Sequence, residues 1–309
     1  MIKKAIRIPS IALLYLISLL PLWMLYFISD VIFFILYRII SYRKHVIDEN
    51  LKHSFPEKTE AERIRIRKEF VRYLADLVME TVKLLTISPN EVKKRVEVVN
   101  TNFIEQSFKN GQSVIGILGH YGNWELNALR FSQLFSEKRI IVYKPLNNKF
   151  FDNLMISMRS RFGATLVGMK QTMRKLTQYR HERTMTVLVG DQTPARAEVT
   201  YFTDFLNQPT AVFLGVEKLA KLTNSVVVFC DIRRIKRGYY RCSFIPLFNN
   251  PKSTDEYEIT NKHVKYLEEV IRQQPQYWLW SHRRWKYKPE ELSDLFPSSG
   301  YNGTLSQLS

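Results

Sequence analysis

Cysteine is scarce in this chain, with only Cys230 and Cys242 among 309 residues. Neither belongs to a C-x-x-C pair, and both lie in apolar stretches with the pattern of β-strands. The sequence therefore predicts two small core residues in a reducing compartment, and it argues against a disulfide framework or a cysteine metal site.

Acidic residues are also few, because 29 Asp and Glu stand against 46 Lys and Arg, a formal net charge of +17. Such a charge implies an anionic partner, which could be nucleic acid, acidic lipid or an acidic carrier protein. A content of 45% hydrophobic and 13% aromatic residues excludes disorder over most of the chain.

Charged residues are missing from residues 8–29. A helix of that length measures about 33 Å, which matches a hydrocarbon core of about 30 Å. We interpret this run as a membrane anchor. A secretory signal peptide fits less well, because the run is too long and no small-x-small cleavage site follows it. A buried core helix is the remaining alternative.

Pro21 interrupts the apolar run and permits either a kinked single span or a re-entrant hairpin that folds back near Asp30. The positive-inside rule gives no clear orientation, although a hairpin with both basic flanks in the cytoplasm satisfies it better than a single span. The basic residues on the two sides are Lys3, Lys4, Arg7, Arg38, Arg43 and Lys44.

Beyond the anchor, short apolar runs alternate with amphipathic stretches, which predicts an α/β fold with a mostly parallel central sheet flanked by helices. We expect an anchor at residues 1–44, one domain at 45–288 and a polar tail at 289–309. The predicted strands are Ser113–Gly119, Arg139–Tyr143, Ala164–Val167, Thr184–Gly190, Ser225–Ile232 and Tyr239–Leu247. The predicted helices are Thr59–Leu85, Trp124–Phe135, Asn147–Phe162, Met169–His181, Thr210–Leu222 and Asp255–Gln274.

A histidine and a glutamate follow the first buried strand, in the segment Gly119-His120-Tyr121-Gly122-Asn123-Trp124-Glu125. Sites in α/β proteins collect at the carboxyl ends of strands. Asn123 is a good N-cap, which puts Glu125 in the first helical turn, where its carboxylate can accept a hydrogen bond from the imidazole of His120. The other ring nitrogen would then serve as a base. The alternative is a surface loop histidine beside a glutamate that only favours the helix start.

Three further residues are candidates for the same site. Asp191 follows the strand Thr184–Gly190 as His120 follows its own strand, so parallel strands would bring both to one edge of the sheet. Arg159 and Arg161 could each bind a phosphate or carboxylate, although a solvated helix face is the alternative. The segment is not H-E-x-x-H and no third ligand is evident, which argues against zinc.

Aromatic residues alternate with basic ones near the C-terminus. This mixture suits a membrane interface or single-stranded nucleic acid. No nucleic-acid motif is present, and the apolar N-terminus favours the membrane. The residues are Tyr277, Trp278, Trp280, Arg283, Arg284, Trp285, Lys286 and Lys288.

Together these segments resemble the bacterial lipid A biosynthesis acyltransferases, the late acyltransferases of the lysophospholipid acyltransferase superfamily. The segment 119–125 is similar to the H-x4-D/E motif of that family, and Arg159 matches its functional arginine. Asp191-Gln192 resembles a later acidic position. The remaining matching segments are Asn50-Leu51, Ser54-Phe55-Pro56-Glu57 and residues 278–285.

The resemblance implies an acyl thioester donor, usually acyl carrier protein with acyl-CoA as the alternative, and a hydroxyl acceptor on an anionic lipid A precursor. It implies the cytoplasmic face of the bacterial inner membrane, with His120 as general base and Glu125 as its partner. Arg159, Arg161, Asp191 and Asn123 are expected to contact substrate. No metal, organic cofactor or nucleic acid is implied. The alternatives are an acyltransferase for a lysophospholipid or aminolipid, and a non-catalytic membrane scaffold.

Overall fold

The computed structural model describes residues 2–292, and within them seven strands form one sheet in the order β1-β9-β8-β2-β5-β3-β4. All neighbouring pairs are parallel except β8 and β9, which form an antiparallel hairpin. The strands of this sheet are β1 (Val96–Val99), β2 (Val114–Leu118), β3 (Lys138–Tyr143), β4 (Thr165–Gly168), β5 (Thr184–Val189), β8 (Val226–Lys236) and β9 (Tyr239–Phe248). A separate hairpin joins β6 (Phe202–Phe205) to β7 (Gln208–Ala211).

Helices cover both faces of the sheet, which confirms the predicted α/β fold. They are α1 (Ile2–Leu19), α2 (Leu22–Phe34), α3 (Lys44–Ser54), α4 (Glu60–Lys83), α5 (Pro89–Arg95), α6 (Asn102–Lys109), α7 (Trp124–Phe131), α8 (Lys149–Ser160), α9 (Thr172–Gln178), α10 (Gly215–Thr223) and α11 (Glu258–Gln273). Most of the predicted tail, residues 293–309, lies outside the described part of the chain.

The predicted helix Thr210–Leu222 is partly wrong, because its first residues belong to β7 and α10 begins only at Gly215. In the hairpin Thr210 lies opposite Thr203, and Ala211 lies opposite Phe202. The apolar spacing of the segment fits a helix, but pairing with β6 overrides it. Strand β1 and the β6–β7 hairpin were not predicted, since runs of four residues carry little periodicity.

The apolar N-terminal run is interrupted at Pro21, the position at which the sequence permits a kink or a re-entrant turn. Helix α1 ends at Leu19 and α2 begins at Leu22, with Pro21 in extended conformation between them. Proline lacks an N–H group and its ring clashes with the carbonyl four residues earlier, which accounts for the break. Helix α2 continues as a π-helix over Ile35–Ile39.

By its length and composition alone, the helix over Leu22–Ile39 could cross a membrane, with a mean hydropathy of 1.8. Only 17% of the residues are buried, and the side chains of Trp23 and Phe27 are each 71% exposed. That exposure argues against a core helix and is consistent with the predicted anchor.

Helix α4 attaches α2 to the sheet through two buried carboxylates. Asp76 accepts hydrogen bonds from Ser29 Oγ (2.7 Å), Arg234 Nη2 (2.9 Å) and Arg237 Nε (3.0 Å). One turn further along α4, Glu80 makes contacts that reach Tyr26 of α2. The N-terminal helices are therefore part of the folded unit and are bound to the hairpin β8–β9.

Replacing Asp76 with Ala should destabilise the protein by about 3 kcal/mol, because it leaves the charges of Arg234 and Arg237 without their buried partner. The free energy of unfolding can be measured by denaturant titration in detergent, with tryptophan fluorescence as the signal. The exposed Asp204→Ala provides the control. Equal stability of the two variants would contradict this account of how α2 is attached.

Candidate active site

The carboxyl ends of β2 and β5 bring two candidate residues together. These strands are parallel, with Leu118 opposite Val189, so the chain leaves both at the same edge of the sheet. One residue after each strand stands a glycine, and the next residues are His120 and Asp191. The predicted convergence of these two side chains is confirmed.

Asp191 binds both the backbone and the ring of His120. The backbone N–H of His120 donates to Asp191 Oδ2 over 2.8 Å, and Nδ1 of its ring lies 2.6 Å from Oδ1. A carboxylate only accepts hydrogen bonds, so the proton of the neutral imidazole is on Nδ1. Nε2 is left as the basic atom, and the Gln192 amide donates to it over 3.3 Å.

Asp191 is buried yet ionised. Burial raises its pKa, but the positive charge that His120 carries when protonated, together with hydrogen bonds from His120 and Trp278, outweighs that effect and lowers the pKa to about 2. Nε1 of Trp278 donates to Asp191 Oδ2 over 2.7 Å. The carboxylate therefore remains charged at neutral pH and holds the imidazole in one orientation.

Glu125 differs from the expectation, because its carboxylate binds Arg159 while Asp191 takes the position beside His120. Nε of Arg159 lies 2.8 Å from Glu125 Oε2, and Nη2 lies 2.5 Å from Oε1. The side chain of Glu125 is 8% exposed, and that of Arg159 is 19% exposed. Glu125 lies in the first turn of α7 as predicted, but α8 places the guanidinium against its carboxylate.

Trp124 connects the two carboxylate pairs. Its ring stands edge-on to that of His120, with 4.9 Å between ring centroids. Its Nε1 donates to Glu125 Oε1 over 3.2 Å. His120, Trp124, Glu125 and Arg159 thus form one continuous set of contacts along the edge of the sheet.

The loop between His120 and α7 is held by Gly122 and Asn123. Gly122 has a φ of +59°, and a Cβ at this position would lie 3.0 Å from the backbone oxygen of Ile232, so the loop needs glycine here. The predicted N-cap is confirmed, since Asn123 Oδ1 accepts from the N–H of Leu126 over 2.8 Å. Asn123 is fully buried, so its side chain does not reach the surface where the expected contact with substrate would form.

A carboxylate of α4 fixes this loop from behind. Glu80 Oε2 accepts hydrogen bonds from Asn123 Nδ2 (2.6 Å) and from the hydroxyl of Tyr240 on β9 (2.7 Å). Glu80 Oε1 accepts from the hydroxyl of Tyr26 on α2 over 2.9 Å. Burial raises the pKa of Glu80, against the opposing effect of these hydrogen bonds. The loop that carries His120 is therefore linked to α2 through one buried side chain.

Arg161 lies away from this set of contacts, which differs from the substrate contact expected for it. Its guanidinium donates to the backbone oxygens of Leu84 and, over 3.0 Å, Ile87, just after α4. Arg161 directly follows the last residue of α8, and its side chain points to the end of α4 while that of Arg159 points to Glu125.

The C-terminal aromatic segment contributes residues that the sequence did not assign to the site. Besides Trp278, His282 contacts the loop after β5, where its Nε2 accepts from the backbone N–H of Thr193 over 3.2 Å. Burial lowers the pKa of His282 to about 4, which keeps this ring neutral. The similarity of residues 278–285 to a family segment was the only available signal for these contacts.

Within residues 2–292, no group of three or more His, Cys, Asp or Glu side chains has the geometry of a metal site. A cavity of about 10 Å³ lies beneath Asp191, lined by apolar side chains together with His263 and Arg284. That volume is enough for about one water molecule and far too small for an acyl chain.

Comparison with known proteins decides the family. The model of the bacterial lipid A biosynthesis acyltransferases matches residues 2–287. The chain belongs to this family. It is therefore an acyltransferase, and the resemblance drawn from its motifs is confirmed over nearly the whole chain.

Individual relatives are distant but extensive. A lipid A biosynthesis lauroyltransferase of Escherichia coli (strain K12) is 24% identical over 290 residues, 93% of each chain. A lipid A biosynthesis acyltransferase of Haemophilus influenzae is 25% identical over 251 residues, 81% of this chain and 79% of the relative. A palmitoleoyltransferase of E. coli is 22% identical over 255 residues, 82% of each chain. The relatives' names specify different acyl chains, so they do not fix the chain length used here.

The depressed pKa of Asp191 should make its contribution to stability depend on pH. A carboxyl whose pKa falls on folding stabilises the folded state above its unfolded pKa of about 3.8, and the contribution is lost as pH falls towards 2. As the pH falls through this range, the free energy of unfolding of the wild type should therefore decrease by about 2 kcal/mol relative to that of Asp191→Asn. Denaturant titrations of both proteins from pH 5 to pH 2 measure these free energies. A difference between the two proteins that does not change with pH would contradict an ionised Asp191.

Proposed function

We propose that the protein transfers a fatty acyl chain from an acyl thioester to a hydroxyl group of a lipid A precursor or related glycolipid, with His120 as general base. The observation that carries the proposal is the bond from His120 Nδ1 to the buried carboxylate of Asp191. That bond leaves Nε2 as the proton acceptor, at the sheet edge where α/β proteins bind substrates.

In the proposed reaction the acceptor hydroxyl gives its proton to Nε2 of His120 while its oxygen attacks the thioester carbonyl carbon. Asp191 stabilises the imidazolium that forms. When the tetrahedral intermediate collapses, the carbon–sulfur bond breaks and the imidazolium returns the proton to the leaving thiolate. The products are the ester and the free thiol, and His120 regains its initial state.

We assign Glu125 and Arg159 to substrate placement in this reaction. The two hydrogen bonds between them use Nε and Nη2 of Arg159, so Nη1 is the nitrogen that can reach an oxygen of the substrate. A bidentate guanidinium–carboxylate pair has a fixed orientation, which suits the binding of a carbonyl or phosphate oxygen. Glu125 then acts on the reaction through Arg159 and Trp124.

The position of the anchor favours a lipid acceptor. Strand β8 runs parallel to β2, so its carboxyl end points to the same edge of the sheet as those of β2 and β5. Arg237 follows β8 directly and binds Asp30 of α2 over 2.6 Å. The reacting edge therefore faces the side from which α2 emerges. This arrangement supports a site at the membrane surface, where a membrane-borne hydroxyl could reach His120. We assign that surface to the cytoplasmic face of the bacterial inner membrane because the family resemblance implies it.

On the other side of the site, a basic surface favours acyl carrier protein as donor. Its four exposed cations follow the carboxyl ends of β3 and β4, whereas the anchor binds beside β8, so the site lies between them. Acyl carrier protein is acidic, and complementary charge would guide its docking. This basic rim consists of Lys144, Lys149, Lys170 and Arg174.

Replacing His120 with Ala should lower the rate of acyl transfer by about a thousandfold, the usual contribution of a general base. Asp191→Asn should also lose activity, because the neutral amide of Asn cannot stabilise the imidazolium that forms on His120. The exposed His181→Ala, at the opposite edge of the sheet, is the matched control. Purified full-length variants are compared by transfer of a labelled acyl chain from acyl carrier protein to a lipid A precursor.

Lipid analysis of cells lacking the gene tests the acceptor. Lipid A should lack one acyl chain, as measured by mass spectrometry, and only the wild type and His181→Ala should restore it. A chain missing from a lysophospholipid or aminolipid instead would keep the mechanism and change the acceptor. Full restoration by His120→Ala would refute catalysis and favour a scaffold.

Reversing charge on the basic rim should weaken use of acyl carrier protein. The variant Lys170→Glu/Arg174→Glu is expected to raise KM for acyl carrier protein about tenfold while kcat and the KM for acyl-CoA stay unchanged. The control Lys109→Glu/Arg183→Glu makes the same change in charge at the opposite edge of the sheet. An equal effect of both variants would exclude the rim as the docking surface.

A further inference from the structure

A second, larger pocket lies at the end of the anchor. Its volume is about 250 Å³, several times that of a water molecule at about 30 Å³. Leu36 and Val71 supply part of its apolar lining. The polar groups around it are those of Tyr37, Arg38, Ser41, Tyr42, Lys44 and Arg67.

The location of this pocket is set by the candidate membrane span, which ends at Ile39. Its lining begins in the last turn of that helix and continues into the start of α3. A membrane-spanning segment passes from hydrocarbon to headgroups at its end, where tyrosine and basic side chains are favoured. The pocket therefore lies at the depth of lipid phosphates if the helix spans the bilayer.

One cation of the pocket is held in place before any ligand binds. Arg67 Nη1 lies 2.5 Å from both carboxylate oxygens of Asp48, and the Arg67 side chain is only 12% exposed. Its guanidinium also lies over the ring of Tyr37, 5.8 Å from the ring centroid. Arg38 lies at the same distance from that ring, 5.8 Å.

Arg38 and Lys44 add charge that no carboxylate in residues 2–292 neutralises at ion-pair distance. Both side chains are exposed at the pocket. With Asp48 balancing Arg67, the pocket has a net charge of about +2. Guanidinium and ammonium groups arranged around hydroxyls form the donor set that proteins use for phosphate.

The backbone around the pocket is unusual in two ways. The helix turns into a π-helix over Ile35–Ile39, and Ser41 and Arg43 have left-handed φ values of +51° and +46°. A π-helix is rare, a left-handed φ costs free energy in a non-glycine residue, and both features occur frequently at functional sites. Arg43 also donates to the backbone oxygen of Ser281 over 2.7 Å, one residue before His282, which contacts the loop after β5.

We propose that this pocket binds the phosphate group of an anionic lipid and so fixes the depth of the enzyme in the membrane. The phosphate has two possible sources, a phospholipid of the bilayer or the acceptor lipid itself. Only the second source rests on the proposed acyl transfer. Binding can therefore be tested apart from catalysis.

The test uses the full-length chain in detergent micelles and the variant Arg38→Gln/Lys44→Gln, which keeps the Arg67–Asp48 pair. The control Lys93→Gln/Lys94→Gln removes the same charge from the exposed face of α5. Native mass spectrometry measures affinity for phosphatidylglycerol and for zwitterionic phosphatidylcholine. Kinetic assays measure KM for a phosphorylated lipid A precursor and for its dephosphorylated analogue.

Two results would support the proposal and identify the source. A loss of about tenfold in affinity for phosphatidylglycerol, without change for phosphatidylcholine, assigns the pocket to bilayer phospholipid. A rise of about tenfold in KM for the phosphorylated acceptor alone assigns it to the acceptor. Unchanged values in both assays, or equal changes in the control variant, would overturn the proposal.

A catalytically impaired variant separates this proposal from the proposed function. His120→Ala should bind phosphatidylglycerol as the wild type does, because His120 does not line the pocket. If the wild type transferred no acyl chain to any lipid, the affinity measurements would still decide the phosphate site. Loss of phosphatidylglycerol binding in His120→Ala would contradict an independent pocket.

Discussion

The parallel pairing of β2 with β5 is the constraint on which the candidate site depends. It places Leu118 opposite Val189, so the residues two positions beyond, His120 and Asp191, meet at one edge of the sheet. A register shift would break this contact, because successive residues of a strand point to opposite faces. Both strands are buried, so their register is set by packing with the central sheet and by main-chain hydrogen bonds.

Buried carboxylates link this edge to α2. Glu80 accepts hydrogen bonds from Tyr26 of α2, from β9 and from the N-cap of α7. Asp76 binds α2 and two arginines near the β8–β9 turn. A buried charge is stable only when its hydrogen bonds are satisfied, so these elements are held in a defined arrangement. The position of α2 is thus coupled to the loop that carries His120.

Positive charge is distributed over surfaces with different geometry. The cations of the basic rim follow β3 and β4, and others line the pocket at the end of the apolar helix. Arg234 and Arg237 form internal ion pairs with Asp76. The net charge of +17 implies an anionic partner in general. The placement of the exposed cations on separate surfaces is the basis for proposing two partners, an acidic donor and an anionic lipid.

The local pattern of the sequence determined the α/β fold, the strand before His120 and the N-cap at Asn123, because buried strands and caps depend on neighbouring residues. It also predicted the meeting of His120 with Asp191, since parallel strands share an edge. The tertiary structure alone decided which carboxylate binds the histidine. Glu125 is near His120 in sequence, but α8 presents Arg159 to it, and the contacts of Trp278 and Glu80 join residues more than forty positions apart. Such pairings follow from the packing of distant elements, which no local pattern contains.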